Sequence, residues 1–125
     1  MALGLVTSHH HSYAHASPKN QRFVRDFQAR FGTKLRPGYF AVAAYDGLAT
    51  IDAALTRAGK DTRGEALVHA MRGLKLESPR GPIEIDAASR DIVQTVYIRR
   101  VDRVNGQLVN VEFDKFERVK DPGRE

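Results

Sequence analysis

Asn105-Gly106 sits between two runs rich in β-branched and aromatic residues, 95–104 and 107–119. A type I′ turn needs φ > 0 at both central positions, and this dipeptide supplies it, so the stretch predicts a two-residue β-hairpin. Pairing outward from the turn sets Arg99 opposite Glu112 and Ile98 opposite Phe113. The first pair is charge-matched and the second apolar, which makes the register self-consistent. A lone hairpin is marginal in water and needs further sheet or helix beside it. The rest of the chain must supply that support.

Upstream of the hairpin the pattern is mostly helical. Ser17 reads as an N-cap with Pro18 at the first helical position, where its missing N–H costs nothing. Phe23, Val24, Phe27 and Phe31 follow at helical spacing as a core stripe, and Gly32 stops the helix. A second helix is expected over 39–58, with Ala44, Leu48, Ile51 and Leu55 on its core face and Gly59 at its end. Thr62 and Glu65 have the spacing of a capping box for a third helix, with Ala66, Leu67, Ala70 and Met71 on one face. Residues 78–82 read as a turn, after which Ile83 and Ile85 alternate with Glu84 and Asp86 as a short strand would. The apolar start, residues 3–7, predicts a short buried strand. The fold class is therefore α/β: three helices, a short strand and a C-terminal hairpin, with too few strands to cover the helices.

With 125 residues the chain is one domain's worth. It has no cysteine, which excludes disulfides, thiolate metal sites and cysteine nucleophiles. The net charge is +5, but most of the basic residues stand within a few positions of an acid. That describes a mixed-charge surface rather than a nucleic-acid stripe. No run approaches the ~20 apolar residues of a membrane span, and the first residues lack the basic and cleavage features of a signal peptide.

The segment SHHHSYAHAS, residues 8–17, holds four of the five histidines. Neutral imidazole is a common metal ligand, so a histidine-rich metal module is one reading. Against it, side chains alternate along a strand, so His9, His10 and His11 cannot all face one ion there. No acid in the segment could orient them either. A catalytic reading could assemble Ser8 or Ser12 with the histidines and Asp46 or Asp91. However, no G-x-S-x-G elbow, P-loop or H-E-x-x-H motif is present, and the chain reads as a non-enzyme. A loop with structural or ligand-lining roles is the remaining reading.

Several stretches taken in order carry a family resemblance: FVRDFQARFG, then VAAYDGLATIDAALTRAG, then LESPRGPIEID, then the closing VYIRRV. Their order and spacing resemble the later part of type I periplasmic ligand-binding proteins, within the branched-chain amino-acid (Leu/Ile/Val) receptor group of ABC transporters. The resemblance spans nearly all of this chain but only part of a family member, which implies a truncated segment. It implies a fragment of a Rossmann-like, two-lobe fold that closes around a ligand. Residues 3–8 would be a crossover strand, 17–86 would be helices and an edge strand of the N-terminal lobe, and 91–119 a further crossover and the second-lobe hairpin.

The resemblance further implies that an amino acid or related small carboxylate binds between the lobes and that an ABC permease is the partner. No metal or cofactor is implied, and the intact protein would be periplasmic. It places the histidine-rich segment at the rim of the cleft, so that His9, His11 and Tyr13 would line the ligand site. Tyr45 and Asp46 would open the long helix nearby. From the unpaired strand edges and an apolar helix face, a homo-oligomer is the alternative expectation for the chain alone.

Overall fold

The structure, a computed structural model, describes residues 2–124. The order is β1 (Val6–His9), α1 (Pro18–Phe31), α2 (Tyr39–Ala58), α3 (Gly64–Met71), β2 (Lys75–Ser78), β3 (Gly81–Ile85), β4 (Ile92–Val104) and β5 (Gln107–Val119), with a short 3₁₀ turn at Pro122–Arg124. The five strands form one antiparallel sheet. β4 is its spine and pairs with β1, β3 and β5.

The hairpin turn forms where the sequence places it. Asn105 and Gly106 both have positive φ, +50° and +79°. Arg99 faces Glu112, as expected. Beyond that pair the register shifts by one: Ile98 faces Asp114, not Phe113, because a bulge falls between Ile98 and Arg99. The extra residue leaves Phe113 58% exposed.

Both long helices have the expected limits. Ser17 caps α1 by accepting from the Asn20 N–H, and Gly32 closes it with φ +113°. Along the α1 stripe Phe23 is buried, Phe27 half-buried and Phe31 exposed. α2 runs from Tyr39 to Ala58, but its buried face is Val42, Asp46 and Ala54. Ala44, Leu48, Ile51 and Leu55 are exposed, Leu48 by 70%. α2 packs against α3 and β2, and among the described residues its Leu48, Ile51 and Leu55 face stays exposed.

The capping box is not formed. The α3 N-cap is Arg63, without a side-chain cap. The Asp61 carboxylate, two residues earlier, accepts from the Arg63 N–H at 3.1 Å and supplants Thr62. The far end of α3 is closed from α2, where Arg57 donates to the carbonyls of Ala70 and Arg72.

β2, too short to show a period in the sequence, is the four-residue partner of β3 across the turn at Pro79 and Arg80. β1 starts later than expected, at Val6, and is largely exposed rather than buried, because it pairs only with β4.

Candidate ligand-binding site

Among the described residues the buried interior is rich in polar side chains. His11, Ser12, Asn20, Asp46, Ser78, Arg80, Thr95 and Arg99 lie beside Phe23, Val42, Ala54, Ala70, Ile83, Val93 and Tyr97. Burying polar groups without partners is costly, so the bonding of this set organises the centre. β4 contributes through strand alternation: Val93, Thr95, Tyr97 and Arg99 fall on one face and all are buried.

Two guanidinium groups anchor the network. Arg80, in the β2–β3 turn, donates from Nε to Asp46 Oδ2 at 2.7 Å and from Nη1 to Gln94 Oε1. Its carbonyl accepts from the Tyr97 hydroxyl at 3.0 Å. Arg99, on β4, donates from Nη2 to Glu112 Oε1 at 2.7 Å and from Nη1 to the His9 carbonyl at 2.8 Å. Its guanidinium lies 5.0 Å from the Tyr97 ring centroid. Tyr97 thus stands between the two arginines. Burial, with the Glu112 charge, pushes its phenol above the ordinary range. Burial works against the Glu112 carboxylate, yet hydrogen bonds from His15 and Arg99 prevail and hold it below its ordinary value.

The histidine-rich loop leaves β1 at His9 and is knitted together by Asn20, which is fully buried. Its amide Nδ2 donates to the carbonyls of Ser12, Tyr13 and His15 at 3.2, 3.0 and 2.9 Å. Its Oδ1 lies 3.4 Å from His11 Nε2. Three converging carbonyls require a double donor, so one residue of α1 shapes the loop.

The four histidines go to different places. His9 is exposed, stacked on His10 with centroids 4.2 Å apart and edge-on to Tyr39 at 5.5 Å. His11 turns inward onto Asn20 and the edge of Phe23. Burial holds its ring below the ordinary imidazole range, as do the charges of Arg99 and Arg80. His15 Nδ1 lies 2.9 Å from Glu112 Oε2, so the acid that the segment lacks comes from β5. Among the described residues no three His, Cys, Asp or Glu side chains converge on a metal position.

The other expected site residues also separate. Tyr13 is half-buried; its hydroxyl accepts from Arg36, whose guanidinium also lies over the Tyr13 ring and donates to Gln107. Asp46 is buried against Arg80. Tyr45 faces α1, edge-on to Phe23 at 5.2 Å. The structure thus sets His9, His10 and Tyr39 in one aromatic cluster and Tyr13 with Arg36, and it assigns His11 and Asp46 to the interior.

Sequence reasoning missed Asn20, Arg80, Gln94 and Tyr97. The proline-flanked position of Arg80 in SPRGP was the available signal, since a charged residue in so rigid a turn is a pre-positioned one. A groove of about 490 Å³ lies over β2–β5, lined by Ile83 and Val93 and shared with the network through Gln94 and Tyr97. None of the five expected site residues lines it.

The periplasmic binding protein family model matches residues 1–107, and the chain belongs to that family. It is 36% identical over 123 residues to the Leu/Ile/Val-binding protein homolog 6 of Brucella abortus, covering 98% of this chain and 32% of that protein. A solved solute-binding protein of an ABC transporter from Rhodopseudomonas palustris BisB5, in complex with 3,4-dihydroxybenzoic acid, is 51% identical, with a TM-score of 0.94. The match covers 99% of this chain and 34% of that one. A second, from R. palustris HaA2 in complex with p-hydroxybenzoic acid, is 32% identical with a TM-score of 0.87, over 98% of this chain and 33% of that one. The chain thus spans about a third of the length of the curated relatives it matches. These relatives are solute-binding proteins, not enzymes. Among the described residues no helix is long and apolar enough to cross a membrane.

Proposed function

We propose that this chain is part of the solute-recognition component of an ABC transporter and that its ligand is a small carboxylate, with hydroxylated aromatic acids favoured over branched-chain amino acids. The supporting observation is the 51% identity and 0.94 TM-score to a receptor solved with 3,4-dihydroxybenzoic acid. The aromatic cluster of His9, His10 and Tyr39 suits a planar ligand. In this reading residues 17–86 belong to one lobe, 3–8 and 91–95 cross between lobes, and the hairpin enters the other. Closure of the lobes on the ligand selects the state that docks on the permease, in the periplasm. His9, His11, Tyr13, Tyr45 and Asp46 act here as rim or supporting residues.

Calorimetry with 3,4-dihydroxybenzoate, 4-hydroxybenzoate and leucine tests the ligand class. Binding of an aromatic acid but not leucine supports it, leucine alone reverses it, and no binding of any of the three sinks it.

A second reading is self-association. The exposed α2 face of Leu48, Ile51 and Leu55 favours it. A monomer by light scattering at high micromolar concentration counts against that reading.

A further inference from the structure

The hairpin of β4 and β5 has 13 residues in each strand. The helices meet the sheet chiefly at β2. β2 reaches the hairpin through β3, which pairs with β4 at Ile92 and Val93, the root of the hairpin. Side chains fix the rest. At the root, Arg118 holds Glu84 at 3.0 Å and Lys120 holds Asp86 at 2.7 Å. Further along, His15 meets Glu112. At the tip the bridging residue is Arg36, from the connection between α1 and α2. It donates to the Tyr13 hydroxyl, and its guanidinium lies over the Tyr13 ring, 4.5 Å from the centroid. Its other arm donates to Oε1 of Gln107, the residue that follows the hairpin turn.

Arg36 is exposed, yet the backbone that carries it is fixed. Pro37, next in sequence, is fully buried, and a residue before proline is confined to extended backbone. Gln28 of α1 donates its side-chain amide to the carbonyls of Thr33 and Leu35 at 3.2 and 3.0 Å. Tyr13 is held from the same helix, because Asn20 donates to its carbonyl. Helix α1 thus places both Arg36 and Tyr13, whereas Gln107 moves with the hairpin, opposite Val104. One planar fork joins the two, which the point charge of a lysine would not do.

We propose that Arg36 is a positioning residue for ligand binding: through Tyr13 and Gln107 it sets the angle of the hairpin against the helices, and with it the fraction of molecules competent to bind. The proposal rests on the reading above, in which residues 17–86 and the hairpin belong to opposite lobes, and it adds the side chain that ties them. Apparent affinity falls with the competent fraction. Loss of an exposed hydrogen-bonded and cation–π bridge should therefore weaken binding about fivefold.

The chain has no cysteine, so Asp52→Cys on α2 and Asn110→Cys on β5, both at exposed positions, take one nitroxide label each. Pulsed electron resonance reads the distance between them, with labelled chain diluted into unlabelled chain so that each distance lies within one molecule. The expected result is one narrow distance with Arg36 in place. Arg36→Ala, Arg36→Lys and Gln107→Ala should each broaden or displace it, and combining Arg36→Ala with Gln107→Ala should add nothing further. Calorimetry with 3,4-dihydroxybenzoate as probe should show about fivefold weaker binding for the same variants. A purely structural role for Arg36 would lower the melting temperature and leave the distance in the folded fraction unchanged. An unchanged distance in Arg36→Ala overturns the proposal. A changed distance with unchanged affinity overturns the link to binding. If the protein with Arg36 intact binds no probe, the ligand class fails, and the label distances still decide whether Arg36 positions the hairpin.

Discussion

Arg80 Nε and Asp46 Oδ2 are 2.7 Å apart, and each side chain is only 7% exposed. The pair joins the β2–β3 turn to the inner face of α2 across 34 residues. Removing one member of such a pair strands the other charge out of water, which costs more than the pair itself contributes. Asp46→Ala should therefore destabilise the chain by about 3–5 kcal/mol in urea unfolding. The double change Asp46→Leu with Arg80→Met should cost clearly less than the sum of the two single changes. Additive costs would show that the two side chains are not coupled.

Asn20 answers three backbone carbonyls with one amide group. Asn20→Ala leaves the Tyr13 and His15 carbonyls and the His11 ring without the bonds Asn20 gives them, while the Ser12 carbonyl keeps the His15 N–H, at about 1–3 kcal/mol for each group that water cannot reach. Asn20→Asp should be at least as damaging, because a carboxylate offers no donor to a carbonyl. Thermal melts of the two variants check this. An Asn20→Asp protein that melts like wild type would show that the loop holds itself together.

The helices were legible because their ends carry local chemistry. Ser17, Pro18, Gly32 and Gly59 act within a few residues of where they stand, so no tertiary information is needed to place them. The turn at Asn105-Gly106 is local in the same way. The bulge between Ile98 and Arg99 is not: it leaves no mark in the alternation and appears only once β4 has both its neighbours. The buried face of α2 was misassigned because the apolar set Leu48, Ile51 and Leu55 outscores Val42, Asp46 and Ala54 on periodicity alone. A helix that buries a paired aspartate reads as inside out. The candidate site suffered most, since Arg80 and Tyr97 act through contacts many residues apart and Asn20 through a loop with no regular spacing. The Arg99–Glu112 pair was the exception, because the hairpin register brings its members together.

Gly81 has φ +96°, and a Cβ built there would stand 2.6 Å from the Tyr97 hydroxyl oxygen. That hydroxyl donates to the Arg80 carbonyl next door, so the glycine keeps open the space that Tyr97 uses. Gly81→Ala should cost about 1–3 kcal/mol from backbone strain alone, plus the displaced hydrogen bond. Adding Tyr97→Phe removes the clashing oxygen, so the double variant should recover part of the loss in urea titrations. No recovery would place the whole cost in the backbone.

Acid should weaken the fold in two stages. His10 and His11 both have folded pKa values below the unfolded one, His10 at about 4. As pH falls below the ordinary imidazole value of 6.5, the unfolded chain gains protons that the folded chain refuses, and stability drops until the folded ring titrates. With solvent screening at a half-exposed ring, His10 should account for about 1–2 kcal/mol of that loss. Glu112 follows at lower pH: its folded carboxyl is also depressed, so the stability it contributes is present above its ordinary value of 4.5 and is lost below it. Urea midpoints measured from pH 7.5 to 3.5 should fall first between about 6.5 and 4 and more steeply below that. His10→Gln should flatten the first stage and leave the second. A profile that stays level until the carboxylates titrate would mean that His10 is no more buried than a histidine in an unfolded chain.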